Sequence, residues 1–216
     1  MKIYSGPLSM FGAKAEIAAH EKGIVFDLEM VPFNMRTLYD PKHPEVLRIN
    51  PKRQVPVLID GALEIFDSTQ IFEYLEDGWP SPALWPAAAK DRAQARLLEL
   101  KSDEVFFPHV IRLMGLKGAG NHPDAGPSRA GIEDHYRDMD RVLEGRDYLA
   151  GTYSYADIAF YMAQFFAARM AVPMTSALPN LSGWRVRVGR RPAVRRVVDA
   201  MSDFLRREGR PVPEFA

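Results

Sequence analysis

The sequence predicts two domains of different class: an α/β domain at the N-terminus and an all-α domain after it. Three observations support that reading. Short β-patterned runs alternate with helical stretches up to residue 77, and only helical periodicity follows. Between the two textures, Gly78 to Pro86 holds three prolines and a glycine, which stop regular structure. Charge divides at the same place, with 8 basic and 12 acidic residues in 1–85 against 20 and 16 in 86–216. The domains are therefore expected at 1–77 and 87–216, joined by a linker at 78–86. Two tryptophans in that linker, Trp79 and Trp85, mark it as packed down.

Lys2-Ile3-Tyr4 opens the first domain as a short strand. Ser9 precedes a helical stretch from Met10 to Lys22, and Gly23 stands where a C-terminal cap is expected. Ile24 to Val31 returns to a β pattern. An irregular segment follows. Val55–Ile59 and Ala62–Phe66 then flank Asp60-Gly61, a strong hairpin signal. Asp67-Ser68 caps a last helix with Ile71, Phe72, Tyr74 and Leu75 on its apolar side. A β-α-β unit followed by a β-β-α unit is the arrangement of a thioredoxin-like domain.

The second domain opens with a long helix from Ala87 to Leu116, kinked at Pro108. A Gly/Pro-rich loop is expected from Gly118 to Gly131, followed by a helix with Ile132, Tyr136, Met139 and Leu143 on one face and Gly145 closing it. Ser154-x-x-Asp157 forms a capping box. It opens the stretch Ile158 to Met170, apolar on nearly all sides and hence the central buried helix. Leu178-Pro179 and Arg191-Pro192 each precede a further helix.

Composition excludes several classes. Basic and acidic residues both number 28, which argues against a nucleic-acid or anionic-membrane partner. Nine arginines stand against three acids between Arg185 and Arg210, but interleaved Val and Leu fit an amphipathic solvated face. No apolar run reaches the roughly 18 to 20 residues that span a bilayer, and the N-terminus has too little apolar length for a secretory signal. Cysteine is absent, which removes disulfides, thiolate metal sites and a cysteine nucleophile. Five scattered histidines form no His-x-x-x-His pair, so no metal is expected. A cytoplasmic protein is the simplest reading.

Three short segments could hold chemistry. Ser9, at a helix entrance, offers a hydroxyl and a helix N-terminus that together stabilise a thiolate; it is equally placed to act as a plain N-cap. In Asn50-Pro51-Lys52-Arg53-Gln54-Val55-Pro56-Val57-Leu58, a cis Val55-Pro56 bond at an edge would turn the Val55 N–H and C=O outward to pair with an extended peptide. Asp67-Ser68 offers free helix amides and the Ser68 hydroxyl to a carboxylate, and the Asp67 charge to an amino group. Together these would bind a zwitterionic amino-acid head. His109 near the predicted kink could donate a proton to a leaving group, although a lone histidine is more often structural.

These pieces, in this order, resemble the cytosolic glutathione S-transferase family over essentially the whole chain. The markers are Ser9, Asn50-Pro51 with Gln54-Val55-Pro56-Val57-Leu58, and Asp67-Ser68-Thr69-Gln70-Ile71-Phe72-Glu73-Tyr74-Leu75. In the helical half they are Tyr155-Ala156-Asp157-Ile158-Ala159, and Leu178-Pro179-Asn180-Leu181 with Trp184 and Arg191-Pro192-Ala193. The resemblance implies glutathione as co-substrate, a homodimer, and conjugation of the glutathione thiolate to a hydrophobic electrophile in detoxification. A glutathione-dependent lyase, isomerase or dehalogenase, and a non-catalytic ligand- or protein-binding member, are the alternatives.

Ser9 falls where serine-type members, similar to the theta and zeta classes, place the thiolate's partner, with Tyr4 as its rival. The resemblance further implies glutathione contacts from Lys52, Gln54, Val55, Pro56, Asp67 and Ser68. Lys42, His43 or Lys52 would hold the glycine carboxylate. Phe11, Phe106, Phe107, Val110 and Met114 are expected to line the electrophile pocket between the domains. Three departures stand out: Asp67 replaces the commoner glutamate, Arg53 stands where many members have glycine, and no basic residue occupies the position near Asp40 from which theta-like members often contact the glycine carboxylate.

Overall fold

The computed structural model describes residues 1–214. Residues 215–216, the end of the expected helical domain, lie outside the described residues. Contacts divide the chain into two compact units: Met1–Ala83 with Arg195–Arg210, and Leu84–Val194 with the residues from Pro211 onward. The residues from Arg195 to Arg210, assigned by sequence to the helical domain, thus group with the first unit.

In the first unit the order is β1 (Lys2–Ser5), α1 (Met10–Glu21), β2 (Asp27–Met30), α2 (Pro44–Ile49), β3 (Val57–Asp60), β4 (Leu63–Phe66) and α3 (Ser68–Gly78). The sheet runs β2-β1-β3-β4, with β1 parallel to β2 and antiparallel to β3, and β3 antiparallel to β4. This is the expected thioredoxin-like arrangement with one helix more. The added α2 fills the segment read as irregular: His43 caps it through Nδ1, which accepts from the Glu45 N–H at 3.3 Å, and Pro44 sits in its first turn. Proline at that position favours a helix start, and it was the available signal.

Strand alternation sorts two cores. Ile3 and Leu58 point to one face, packing with Ala15 and Ala19 of α1 and Ile71 and Leu75 of α3. Tyr4 and Val57 point to the other, with Val31 and with Val46 of α2. Gly61 takes φ +60 in the hairpin, as Asp60-Gly61 requires. Lys22, buried at the end of α1, pairs with Glu76 of α3 at 2.6 Å and donates to the carbonyls of Trp79 (2.7 Å) and Pro82 (3.0 Å). Trp79 is half-buried, its ring 6.0 Å from that of Tyr74.

The second unit is helical: α4 (Ala89–Lys101), α5 (Phe107–Met114), α6 (Gly126–Val142), α7 (Tyr155–Arg169) and α8 (Pro179–Gly189). The helix α9 (Pro192–Arg207) begins here and ends in the first unit. The single long helix expected from 87 to 116 is instead α4 and α5 joined by a π turn at Ser102–Phe106, where the Phe107 N–H bonds to the Ser102 carbonyl. Pro108 lacks an N–H to give the preceding turn, and widening that turn lets the chain continue as α5. The loop expected to reach Gly131 stops earlier, because Gly126-Pro127 starts α6 rather than breaking it.

The central helix α7 is buried along nearly its whole length, against α4, α5 and α8. Asp157 in its first turn is fully buried. Its carboxylate accepts from the N–H groups of Ser154 (2.9 Å) and Leu149 (3.0 Å), the Ser154 hydroxyl (3.1 Å) and the Trp184 indole (2.8 Å). Burial pushes the Asp157 carboxyl up to about 6, and the four donors oppose that rise. His135 packs at tilted angles against Phe106 and Phe160 and, desolvated there, is lowered to about 4, so it sits neutral in the core. Among the described residues no helix is long and apolar enough to cross a membrane.

Replacing Asp157 strands four buried donors at once. Asp157→Ala should therefore lower unfolding free energy by about 3 kcal/mol or more. Urea denaturation would read this as a lower midpoint; an unchanged midpoint would contradict the bonding described.

Candidate functional site

Ser9 has an extended backbone (φ −111°), and its hydroxyl accepts from the Gly12 N–H at 3.0 Å. It is the N-cap of α1. A hydroxyl carries two lone pairs and one proton. Capping engages a lone pair, so the proton remains to donate. Tyr4, the rival, is buried on the sheet face that bears α2, its ring 5.1 Å from His43, whereas α1 lies on the other face. Its ring belongs to the core.

The segment before β3 is shaped by Asn50. Its Oδ1 accepts from the Lys52 N–H at 2.9 Å, its Nδ2 donates to the Gln54 carbonyl at 2.6 Å, and its own carbonyl accepts from the Arg53 N–H at 2.8 Å. Arg53 is bent to φ +58°, which accounts for the glycine expected at this place. The turn delivers Val55, whose backbone pairs with no other backbone group among the described residues. The Val55-Pro56 bond is cis. Lys52 and Gln54 are exposed and Pro56 is buried.

Asp67 enters α3 at φ +78°, a conformation that side chains disfavour and that recurs where function over-determines the backbone. Its Oδ1 accepts from the N–H groups of Thr69 (3.0 Å) and Gln70 (3.4 Å). This corrects the expectation of free amides there: two are already engaged by Asp67. The second oxygen, Oδ2, lies 4.0 Å from Lys52 Nζ, so the structure brings these two predicted residues together. Ser68, the first residue of α3, is buried. Lys42 Nζ lies 5.7 Å from the Tyr39 ring, and His43 is occupied in capping α2.

The expected pocket residues fare unevenly. Phe106 and Val110 have no accessible surface, and Phe106 packs against His135, Tyr136 and Phe160. They are core residues of the second unit, which corrects their assignment to a pocket: four-residue spacing there marks the inward face. Phe107 is also buried, 6.0 Å from Phe166. Met114 is exposed, and Phe11 is half-buried with Lys14 Nζ 5.7 Å from its ring. The His109 ring lies so close to Gly131 that an added Cβ would fall 2.3 Å from its Nε2, so packing accounts for it.

One polar pair escaped the sequence reading. The Ser5 hydroxyl donates to Glu16 Oε1, and both side chains are buried. Burial pushes the Glu16 carboxyl up to about 7, with the Ser5 bond opposing. A Cβ on Gly12 would fall 2.1 Å from Ser5 Oγ, so the pair requires glycine there. Acid among the alanines of α1 was the available signal. Among the described residues no group of three or more His, Cys, Asp or Glu could hold a metal ion.

The family model described as "Glutathione S-transferase, N-terminal domain" matches residues 8–77, and its C-terminal counterpart matches 105–192. Glutathione S-transferase 3 of Zea mays is 30% identical over 217 aligned residues, covering 93% of this chain and 94% of that one. A stringent starvation protein A homolog of Coxiella burnetii is 33% identical over 116 residues, a match that takes in 53% of this chain and 51% of its own. The crystal structure of a glutathione S-transferase from Rhodospirillum rubrum F11 superposes with a TM-score of 0.77 at 27% identity, over 91% of both chains.

Two outcomes follow from the local geometry. Arg53→Gly relieves a left-handed residue and should stabilise the protein by about 0.5 to 1 kcal/mol, after the added freedom of unfolded glycine is subtracted, as read by thermal unfolding. Glu16 holds its proton to about pH 7 when folded, against an ordinary value of 4.5. Its contribution to stability is full below 4.5 and is lost as pH rises through 7. Glu16→Gln removes that loss, so the variant's advantage over the parent should grow between pH 4.5 and 8, by at most about 3 kcal/mol. A flat difference across that range would contradict the raised carboxyl.

Proposed function

Because the chain belongs to the glutathione S-transferase family, we propose that it binds reduced glutathione and conjugates the thiolate to a hydrophobic electrophile, as a serine-type member acting as a homodimer. The observation that carries this reading is the Ser9 hydroxyl, held by the Gly12 N–H at 3.0 Å with its proton free. Aimed at a thiolate, that proton adds a charge-assisted hydrogen bond to the positive end of α1.

The other roles follow the geometry. The unpaired Val55 backbone, flanked by Gln54 and Pro56, would bond the cysteinyl main chain of glutathione as a neighbouring strand would. Asp67 Oδ2 would accept from the γ-glutamyl ammonium, and Ser68 would bind the carboxylate beside it. Lys42 or Lys52 would take the glycine carboxylate. The thiol loses its proton to solvent, and its sulfur forms a bond to the electrophilic carbon. The leaving group departs with the bonding electron pair. The protein contributes thiolate stabilisation and proximity.

A free thiol titrates near ~8.5, so only a few per cent is ionised at neutral pH. One charge-assisted bond of about 1.5 to 3 kcal/mol lowers that by about one to two units. Ser9→Ala should therefore raise the apparent thiol pKa and lower kcat/KM about tenfold to hundredfold, with little change in glutathione Kd. Ser68→Ala should instead weaken Kd by about the same factor. Calorimetry, thiolate absorbance and a screen of thiol-consuming electrophiles would read these. Binding with an unshifted thiol pKa would move the assignment to a binding protein, and absence of binding would overturn it.

A further inference from the structure

The first unit contains a cavity of about 140 Å³ between α1, the end of β2 and the last helix. Met30, Met201 and Phe204 make its wall largely apolar, and Arg207 and Glu16 are its charged members. Its volume is close to that of the engineered cavity of about 150 Å³ that admits benzene. Unlike that cavity it holds a polar anchor. Glu16 is 3% exposed, and its Oε1 is taken by the Ser5 hydroxyl. Among the described residues its Oε2 has no hydrogen-bond partner, and that oxygen is not fully enclosed by protein.

We propose that this cavity is a binding site for a single-ring phenol, whose ring fills the apolar volume and whose hydroxyl donates to Glu16 Oε2. Glu16 lines the cavity, so a ligand hydroxyl that reaches Oε2 adds a hydrogen bond to a polar group in apolar surroundings, which an apolar ligand of the same shape cannot supply. The donor is a neutral hydroxyl rather than an ammonium, because an ammonium would be desolvated in an apolar cavity that Arg207 also lines. An aromatic ring suits the wall, since thioethers and a phenylalanine ring both make favourable edge and face contacts with it. The inference goes beyond the proposed glutathione chemistry and uses none of its residues.

The test is a titration of the full-length protein at pH 8, where the Glu16 carboxyl is ionised and Oε2 can accept, labelled with ¹³C at the methionine methyls, with phenol and with toluene. Phenol should shift the Met30 and Met201 signals saturably, with a Kd at least about tenfold below that of toluene, the ratio expected of one hydrogen bond to a charged or polar buried group. Glu16→Met should abolish that preference while both ligands still bind. Ala13→Leu, which narrows the cavity from α1, should weaken both. The proposal is overturned if the Met30 and Met201 signals stay fixed while other methionines move, if toluene binds as tightly as phenol, or if Glu16→Met keeps the preference. Loss of glutathione binding would not alter these readouts, so the two readings fail separately.

Discussion

The buried Asp157 carboxylate is the constraint on which the second unit is organised. Four donors from three parts of the chain converge on it: Leu149 before the helix, Ser154 at its cap and Trp184 from α8. Each donor would be unsatisfied without it, and the carboxylate would be intolerable without them. Satisfying both fixes where α7 starts and where α8 crosses. Along α7, thirteen buried residues from Tyr155 to Ala167 then find their neighbours. Lys22 does the same for the first unit. Its ammonium, bonded to Glu76 and to the carbonyls of Trp79 and Pro82, ties the end of α1 to the end of α3 and to the chain leaving it.

Asp157 was legible in the sequence because a capping box is a local pattern, with both partners three residues apart. The hairpin at Asp60-Gly61, the cap at Ser9 and the cap at Asp67 were legible for the same reason. Lys22 was not, because its three partners lie 54 to 60 positions away. Glu16 was hidden likewise: its partner Ser5 is eleven residues back, and an acid among the alanines of α1 hints that it faces inward without saying what it meets. The π turn at Ser102–Phe106 shows a third kind of limit. Pro108 signals a disturbance, but whether the chain kinks or widens depends on what packs around it, here the buried ring of Phe106.

The same distinction runs through the candidate site. A helical stripe such as Phe106–Val110 is apolar whether it faces a ligand or the core, and burial decides for the core. Ser9, Val55 and Asp67 each sit where the backbone itself leaves a group unpaired: a helix end, the segment ahead of β3, and a second helix end. The strand β3 is an inner strand and not the expected edge. Two of the five non-glycine residues with positive φ among the described residues stand here, the others being Leu38, Ala119 and Ala171. Arg53 at φ +58° and Asp67 at φ +78° flank Val55 in sequence, and neither residue type favours that conformation.

Capping and chemistry compete less than the two readings of Ser9 and Asp67 first suggest. An N-cap must accept hydrogen bonds, and acceptance does not exhaust either side chain. Ser9 accepts through a lone pair and keeps its proton. Asp67 accepts two amides through Oδ1 and keeps Oδ2, which reaches Lys52 at 4.0 Å across exposed ground. The fixed half of each group locks the rotamer. The spare half is thereby held in place before any ligand arrives, and little rotamer freedom is left to lose on binding. A residue that served only as a ligand contact would have to be ordered at the moment of binding. On the proposed function, the structural role of these caps is therefore what makes them suited to the chemical one.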